Sequence, residues 1–343
     1  MNPTQKKNAI YSLVLITAVL ALYTYRNYIQ VTEQFFSGTT MGAVVYNVKF
    51  IGKDAKVTKA EVDSLLVAFN QSLSTYIPDS EISRFNKSTS LTFESPFFLP
   101  VLKRSKEIFE ITEGAFDPTV MPLVNAWGFG PQKQARVTPE MVDSLLAFVG
   151  FQKISFNNRE VRKLVQGVQI DFSAIAKGYA VDVVADLLES KGIKNYMVEI
   201  GGEVVCKGSN KLGKPWVIGI NDPTYKERGV NALTARIQLS GRALATSGNY
   251  ENFYMKDGKK YVHTIDPVSG YPIEQNLLSA SIFAPDCMTA DALATACMVM
   301  GVEKAVAMLE KLPEVDAFLV YDEEGILKTY QTPNLSKDIL PQQ

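Results

Sequence analysis

Apolar positions first gather in one unbroken run, Ala9 to Tyr25, containing Leu13, Val14, Leu15, Ile16, Val19, Leu20 and Leu22. Lys6 and Lys7 precede it without an acid, and Arg26 closes it. A basic start followed by an apolar run has the form of an export segment. Its length is at the short edge of what spans a bilayer. No small-x-small cleavage site and no lipid-attachment cysteine follow. The run therefore reads as an uncleaved signal anchor over residues 1–30, with the body, residues 31–335, outside the cytoplasm. A cleaved signal peptide or a buried core helix would carry the same pattern.

Residues 31–57 read as a linker followed by a strand, with Val44, Tyr46, Val48 and Phe50 at period two. Over 58–74 the period changes to that of a helix, with Val62, Leu65, Leu66, Phe69 and Leu73 on one face. Helical patterns return at 97–112 and at 138–149, the latter opened by Thr138-Pro139. Residues 174–191 predict a long helix stopped at Gly192, after a strand over Val168–Phe172. Strands are then expected at Tyr196–Val205, Trp216–Ile220, Leu233–Leu239, Tyr261–Ile265 and Leu278–Phe283. A helical pair over 289–312 and a hairpin near Ala317–Thr329, turned at Glu323-Glu324-Gly325, complete the chain. Helices and strands come in blocks, which predicts an α+β fold. No crossover fingerprint of the G-x-G-x-x-G kind occurs, so a dinucleotide bound here needs a different scaffold.

Composition narrows the chemistry. Apolar residues make up 46% and charged residues 21%, enough for a substantial core. The net charge of −1 argues against a non-specific nucleic-acid binder, which needs a basic face. Cys206, Cys287 and Cys297 lack metal-site spacing, lie in apolar surroundings and read as buried hydrophobes. His263 is the single histidine of the chain. Any metal must then be held mainly by oxygen, which favours a hard cation.

Six segments could carry chemistry. Ser37–Gly42 is a glycine loop before a strand, and alone it reads as a simple turn. Ser74–Asn86 contains a Pro78-Asp79-Ser80 turn, a short helix opened by Ser80 and Glu81, and Tyr76, which serves equally as a stacking face or a core-edge residue. Gly114–Thr119 leads into Pro122–Pro131, dense in Gly, Pro and aromatics, and reads as a shaped loop rather than a helix. Asp117 is held extended before Pro118 with its carboxylate available. Phe116, Trp127 and Phe129 would wall a pocket or form a satellite core. Asp171–Asp182 places Lys177 in the first turn of a helix, where a cation opposes the helix dipole and a bound phosphate would explain it. His263–Pro272 sets a proton-transfer group at a strand end; a lone histidine is more often structural. Asp291 and Thr295 stand four apart, so their oxygens share one helix face; the aspartate would equally serve its own helix dipole.

In this order the segments resemble the ApbE family of FAD:protein FMN transferases, over about Gly38 to Gly301. Gly114–Thr119, Asp171–Asp182, Ala245–Gly248, His263–Pro272 and Asp291–Ala296 carry the likeness together. The resemblance implies an ApbE-like, T-fold-like body that uses FAD and Mg2+ to attach FMN to a protein Thr or Ser hydroxyl, releasing AMP. Hydrolysis of FAD to FMN and AMP, or flavin binding without catalysis, would use the same residues. By motif, Met41, Tyr76, Ala115, Phe116, Asp117, Asp171, Lys177 and Ile265 match FAD contacts. Ala174, through its carbonyl, with Asp291 and Thr295, matches the magnesium ligands. His263 matches a histidine that assists transfer. The implied partner is a membrane redox-complex subunit or exported flavoprotein, and the implied place is the bacterial inner membrane, with the body facing the periplasm or cell exterior. Met121, Ala126 and Asn249 depart from the family pattern, as does the missing export cysteine.

Overall fold

The computed structural model describes residues 2–29, 32–52, 57–130, 137–223, 233–249, 253–256 and 259–341. The junction between the expected anchor and body, at residues 30–31, lies outside this set, as does Pro131. The apolar run forms helix α1, Pro3–Ile29, whose residues 3–25 are exposed throughout.

The centre of the body is an eight-stranded sheet, antiparallel at every step. It is built from β1 (Glu33–Thr40), β2 (Val44–Ile51), β6 (Tyr196–Ile200), β7 (Glu203–Lys207), β10 (Arg242–Gly248), β13 (Leu277–Ala284), β14 (Asp316–Glu323) and β15 (Ile326–Gln331), in that spatial order. Alternation along these strands feeds two cores. Val205, Ala243, Ala245, Ala280, Ile282 and Leu319 join the main core, with helices α7 (Ala176–Ser190) and α8 (Cys287–Leu309) packed on the sheet. Val204, Cys206, Leu244, Phe283, Phe318 and Val320 join a second core with Trp216, Ile237 and Leu239 of the hairpin β8 (Trp216–Asn221) and β9 (Leu233–Leu239). α8 is as apolar as a membrane span, but most of it is buried inside the body. Gly301, at φ 75° and ψ 173°, breaks it into the expected pair.

Local chemistry explains the expected helices. Thr58 and Glu61 form a capping box that opens α2 (Lys59–Leu73), whose buried face is Val62, Leu66, Phe69 and Leu73. Ser80 caps α3 (Glu81–Lys87), and α4 (Phe98–Ile111) follows. Thr138 caps α6 (Pro139–Leu146), which has proline in its first turn.

Several expectations are corrected. Residues 33–40 are not linker but β1, so the Ser37–Gly42 segment is a strand end and a turn, with Met41 at φ 48° and Gly42 at φ 86°. Tyr196–Val205 is two strands, because Gly201 and Gly202, at φ 62° and 101°, turn the chain into a hairpin. The expected strand over Tyr261–Ile265 is β12 (Lys259–Val262), paired to β11 (Phe253–Lys256); Ile265 makes only an isolated bridge to Pro272. The segment read as a loop after Thr119 contains helix α5 (Met121–Trp127), stopped by Gly128 at φ 82°. A small sheet of β3 (Ser90–Thr92), β5 (Glu160–Lys163) and β4 (Ile154–Phe156) was not foreseen.

Val168–Phe172 alternates buried and half-buried positions but joins no sheet. One side chain takes the place of a neighbouring strand there. Asn86 Nδ2 donates to the Ile170 carbonyl and Asn86 Oδ1 accepts from the Ile170 N–H, both at 2.8 Å. This satisfies the buried backbone without a ladder.

Candidate active site

Two adjoining cavities lie on the helix side of β6, β7 and β10. The larger, about 740 Å3, runs from Tyr76 across the start of α7 to α8, and the smaller, about 580 Å3, reaches Met41 and Phe69. They share Val44, Thr75, Tyr76, Ser173 and Lys177. Every site residue expected from the sequence lines one or both.

The floor is set by the crossing of α7 and α8. A Cβ at Gly178 would stand 2.2 Å from the Cys287 carbonyl oxygen and 2.8 Å from Asp291 Cβ, so only glycine lets the helices meet this closely. The contact delivers the Gly178 N–H to Asp291 Oδ2 at 2.9 Å. Asp182 on α7 locks the crossing by accepting the N–H groups of Cys287 and Met288 at 2.8 Å each. Burial pushes the Asp182 carboxyl up to about 8, against those two hydrogen bonds. One turn beyond Asp291, the Thr295 hydroxyl lies 3.2 Å from Ser247 Oγ on β10.

The segment before α7 supplies Asp171 and Ala174. The Ser173 N–H and hydroxyl donate to Asp171 Oδ1 at 3.0 and 2.7 Å, and burial raises the Asp171 carboxyl above its ordinary range. Lys177, in the first turn of α7 as expected, pairs with Glu203 on β7. Burial works against its charge, yet the Asp291 and Glu203 carboxylates hold the ammonium above its ordinary range.

The third expected segment is held from behind. Contrary to the expectation of an available carboxylate, Asp117 Oδ1 accepts from the N–H and hydroxyl of Thr119, and its Oδ2 from the Phe151 N–H. Burial pushes it up to about 6. Asp117 therefore shapes the loop that presents Ala115 and Phe116 to the cavity. Of the three aromatics, Phe116 and Phe129 wall the cavity, whereas Trp127 belongs to a satellite cluster with Leu123, Val142, Val149 and Ile265. Trp127 Nε1 donates to the Gly270 carbonyl at 2.9 Å and so fastens the His263–Pro272 segment. His263 lines the larger cavity, its ring 6.5 Å from Phe129 in an edge-on arrangement. Tyr76 is 66% exposed on the wall between the cavities, so it is not a core-edge residue.

Asp291, Thr295 and the Ala174 segment give an oxygen-only donor set on one cavity. No cluster of three or more His, Cys, Asp or Glu residues suited to a metal occurs among the described residues. Such a set fits a hard cation completed by water and phosphate oxygens, not a nitrogen- or sulfur-loving metal. Sequence reasoning missed Glu203, and it assigned no role to Ser173 and Thr246 within the segments it singled out. Glu203 reads as one more residue of an apolar strand, and the only signal was its place directly after Gly201-Gly202.

Known proteins share this arrangement of chain. A sequence model described as the ApbE family matches residues 38–319. The chain is 42% identical over 316 residues to the FAD:protein FMN transferase of Vibrio cholerae, covering 88% of this chain and 92% of the relative. It is 38% identical over 307 residues to that of Escherichia coli strain K12, covering 86% of each. Among solved structures, the flavin transferase ApbE from Vibrio cholerae superposes with a TM-score of 0.81 at 37% identity, over 90% of this chain and 99% of that one. The apo form of the flavinyl transferase ApbE of Pseudomonas stutzeri does so with 0.80 at 34% identity, over 90% and 96%.

Proposed function

The chain belongs to the ApbE family and is an FAD:protein FMN transferase; from that premise we propose its metal, its site residues and its acceptor. The observation that carries the reading is the gathering of all twelve motif residues on two cavities that share Tyr76 and Lys177. Met41, Tyr76, Ala115, Phe116, Asp171, Lys177 and Ile265 contact FAD. Asp117 supports its loop, since its own carboxylate is engaged by Thr119 and Phe151.

Asp291, Thr295 and the Ala174 carbonyl would hold magnesium, which would neutralise charge on the pyrophosphate. Lys177 adds a fixed positive charge on the same floor. The hydroxyl oxygen of an acceptor Thr or Ser forms a bond to the FMN phosphorus as the P–O bond to AMP breaks. AMP leaves with the electron pair, and His263 takes the hydroxyl proton. The acceptor is an exported flavoprotein or a membrane redox subunit, met outside the cytoplasm by a body tethered through α1.

Asp291→Ala tests the metal assignment. FMN transfer and its magnesium dependence are expected to vanish while FAD still binds. Transfer at the native rate would refute the assignment. Free FMN and AMP formed by the native chain without labelled acceptor would instead identify a hydrolase.

A further inference from the structure

We propose that Glu203 is a positioning residue for FMN transfer, fixing the Lys177 ammonium on the cavity floor beside Asp291. The proposal rests on the flavin-transfer reading of this cavity and adds a residue that the motif resemblance does not assign.

Three observations carry it. First, Lys177 needs to be held. It sits in the first turn of α7, where the helix dipole repels a cation, on a long side chain with many rotamers. Pairing with Glu203 directs that chain inward, and its side chain is 33% exposed on the cavity wall. Second, Glu203 is itself rigidly placed. It opens β7 directly after the Gly201–Gly202 turn and is 1% exposed. A Cβ on Gly201 would lie 2.7 Å from Val44, and 3.6 Å from both Glu203 Oε2 and Lys177 Cδ, so the turn packs directly over the ion pair. Third, Glu203 Oε2 is buried without a hydrogen-bond partner among the described residues, although the residue lines the cavity. An unsatisfied buried carboxylate oxygen is costly to a fold. A residue serving only to staple β7 to α7 would gain nothing from this arrangement.

Lys177, Asp291 and Glu203 together bring one positive and two negative charges to the floor. With Glu203 fixing the lysine, the ammonium is held at the cavity floor, within the electrostatic reach of Asp291. It is then ready for a phosphate oxygen at the moment charge moves onto AMP.

Kinetics of Glu203→Gln and Glu203→Asp, each in the native and the Lys177→Met background, test the role. Gln keeps the size and an acceptor for Lys177 but removes the charge, and Asp keeps the charge on a shorter arm. In the native background Glu203→Gln is expected to lower kcat on the order of tenfold to a hundredfold, with KM for FAD changed less than about threefold. Glu203→Asp should recover part of the loss. In the Lys177→Met background, Glu203→Gln should cost less than about threefold more, because the group it positions is gone. Thermal midpoints and FAD fluorescence titrations report whether each variant is folded, and Glu203→Asp carries the comparison where Gln does not fold. Native kcat in Glu203→Gln, or the same loss in both backgrounds, overturns the proposal. A native chain that releases no AMP removes the reading beneath it, whereas an active native chain with additive losses removes only the role of Glu203.

Discussion

Tyr76 has a large ring on the wall between two cavities, 66% exposed and with little to hold in the fold. Stacking of a flat ring on an aromatic face contributes about 1–3 kcal/mol. Tyr76→Ala is therefore expected to weaken FAD by about tenfold or more, with stability changed by less than about 0.5 kcal/mol. An FAD titration beside a melting curve checks both, and unchanged affinity would remove Tyr76 from the flavin site. At this scale the sequence was most readable. Asp171, Lys177, Asp291 and Thr295 stand in short segments whose Gly, Pro and small residues already mark close approach. Glu203 was not readable, because its meaning depends on Lys177, which the fold brings across from another element. Asp117 was readable as important but not in its part, since its partner Phe151 lies beyond α6.

Among the elements, α7 and α8 set the floor, and Asp182 ties them at the first turn of α8. Burial raises the carboxyls of Asp182 to about 8 and Asp117 to about 6. A carboxyl whose folded pKa is raised binds its proton more tightly in the native state. Its stabilisation is full below the unfolded value, near 4, and is lost as pH rises through the folded value. The denaturation midpoint in magnesium-free buffer should therefore fall as pH rises from about 4 to about 8, the window between the unfolded carboxyl value and the folded values of those two groups. A midpoint that rises over that window would contradict this account of the crossing. The amphipathic helices and the final hairpin were legible because their periods are local. β10 was not, since Arg242–Gly248 is mostly small residues and becomes a strand by lying between β7 and β13. Val168–Phe172 misled in the opposite sense: its alternation is that of a strand, but its partner is the Asn86 side chain.

For the whole molecule, the sheet is a frame with a packed core on each face, and the cavities open on the face that carries α7 and α8. The β8–β9 hairpin closes the second core, while α7, α8 and the loops at 114–119 and 263–272 build the cavities. α1 lies exposed and is long and apolar enough to cross a membrane. Only residues 30–32 separate its end from β1, whose far end turns at Met41 on the cavity. A strand of eight residues spans about 25 Å, so an anchored α1 would keep the cavity within a few nanometres of the bilayer. That closeness suits an acceptor held in, or at, the same membrane. The central claim is tested most directly by co-expressing the chain with candidate exported or membrane redox proteins and looking for flavin fluorescence that survives denaturing electrophoresis. The account predicts a fluorescent acceptor band with FMN bonded to a Thr or Ser, absent when Asp291→Ala replaces the native chain. Released AMP and free FMN with no labelled band from any acceptor would contradict it.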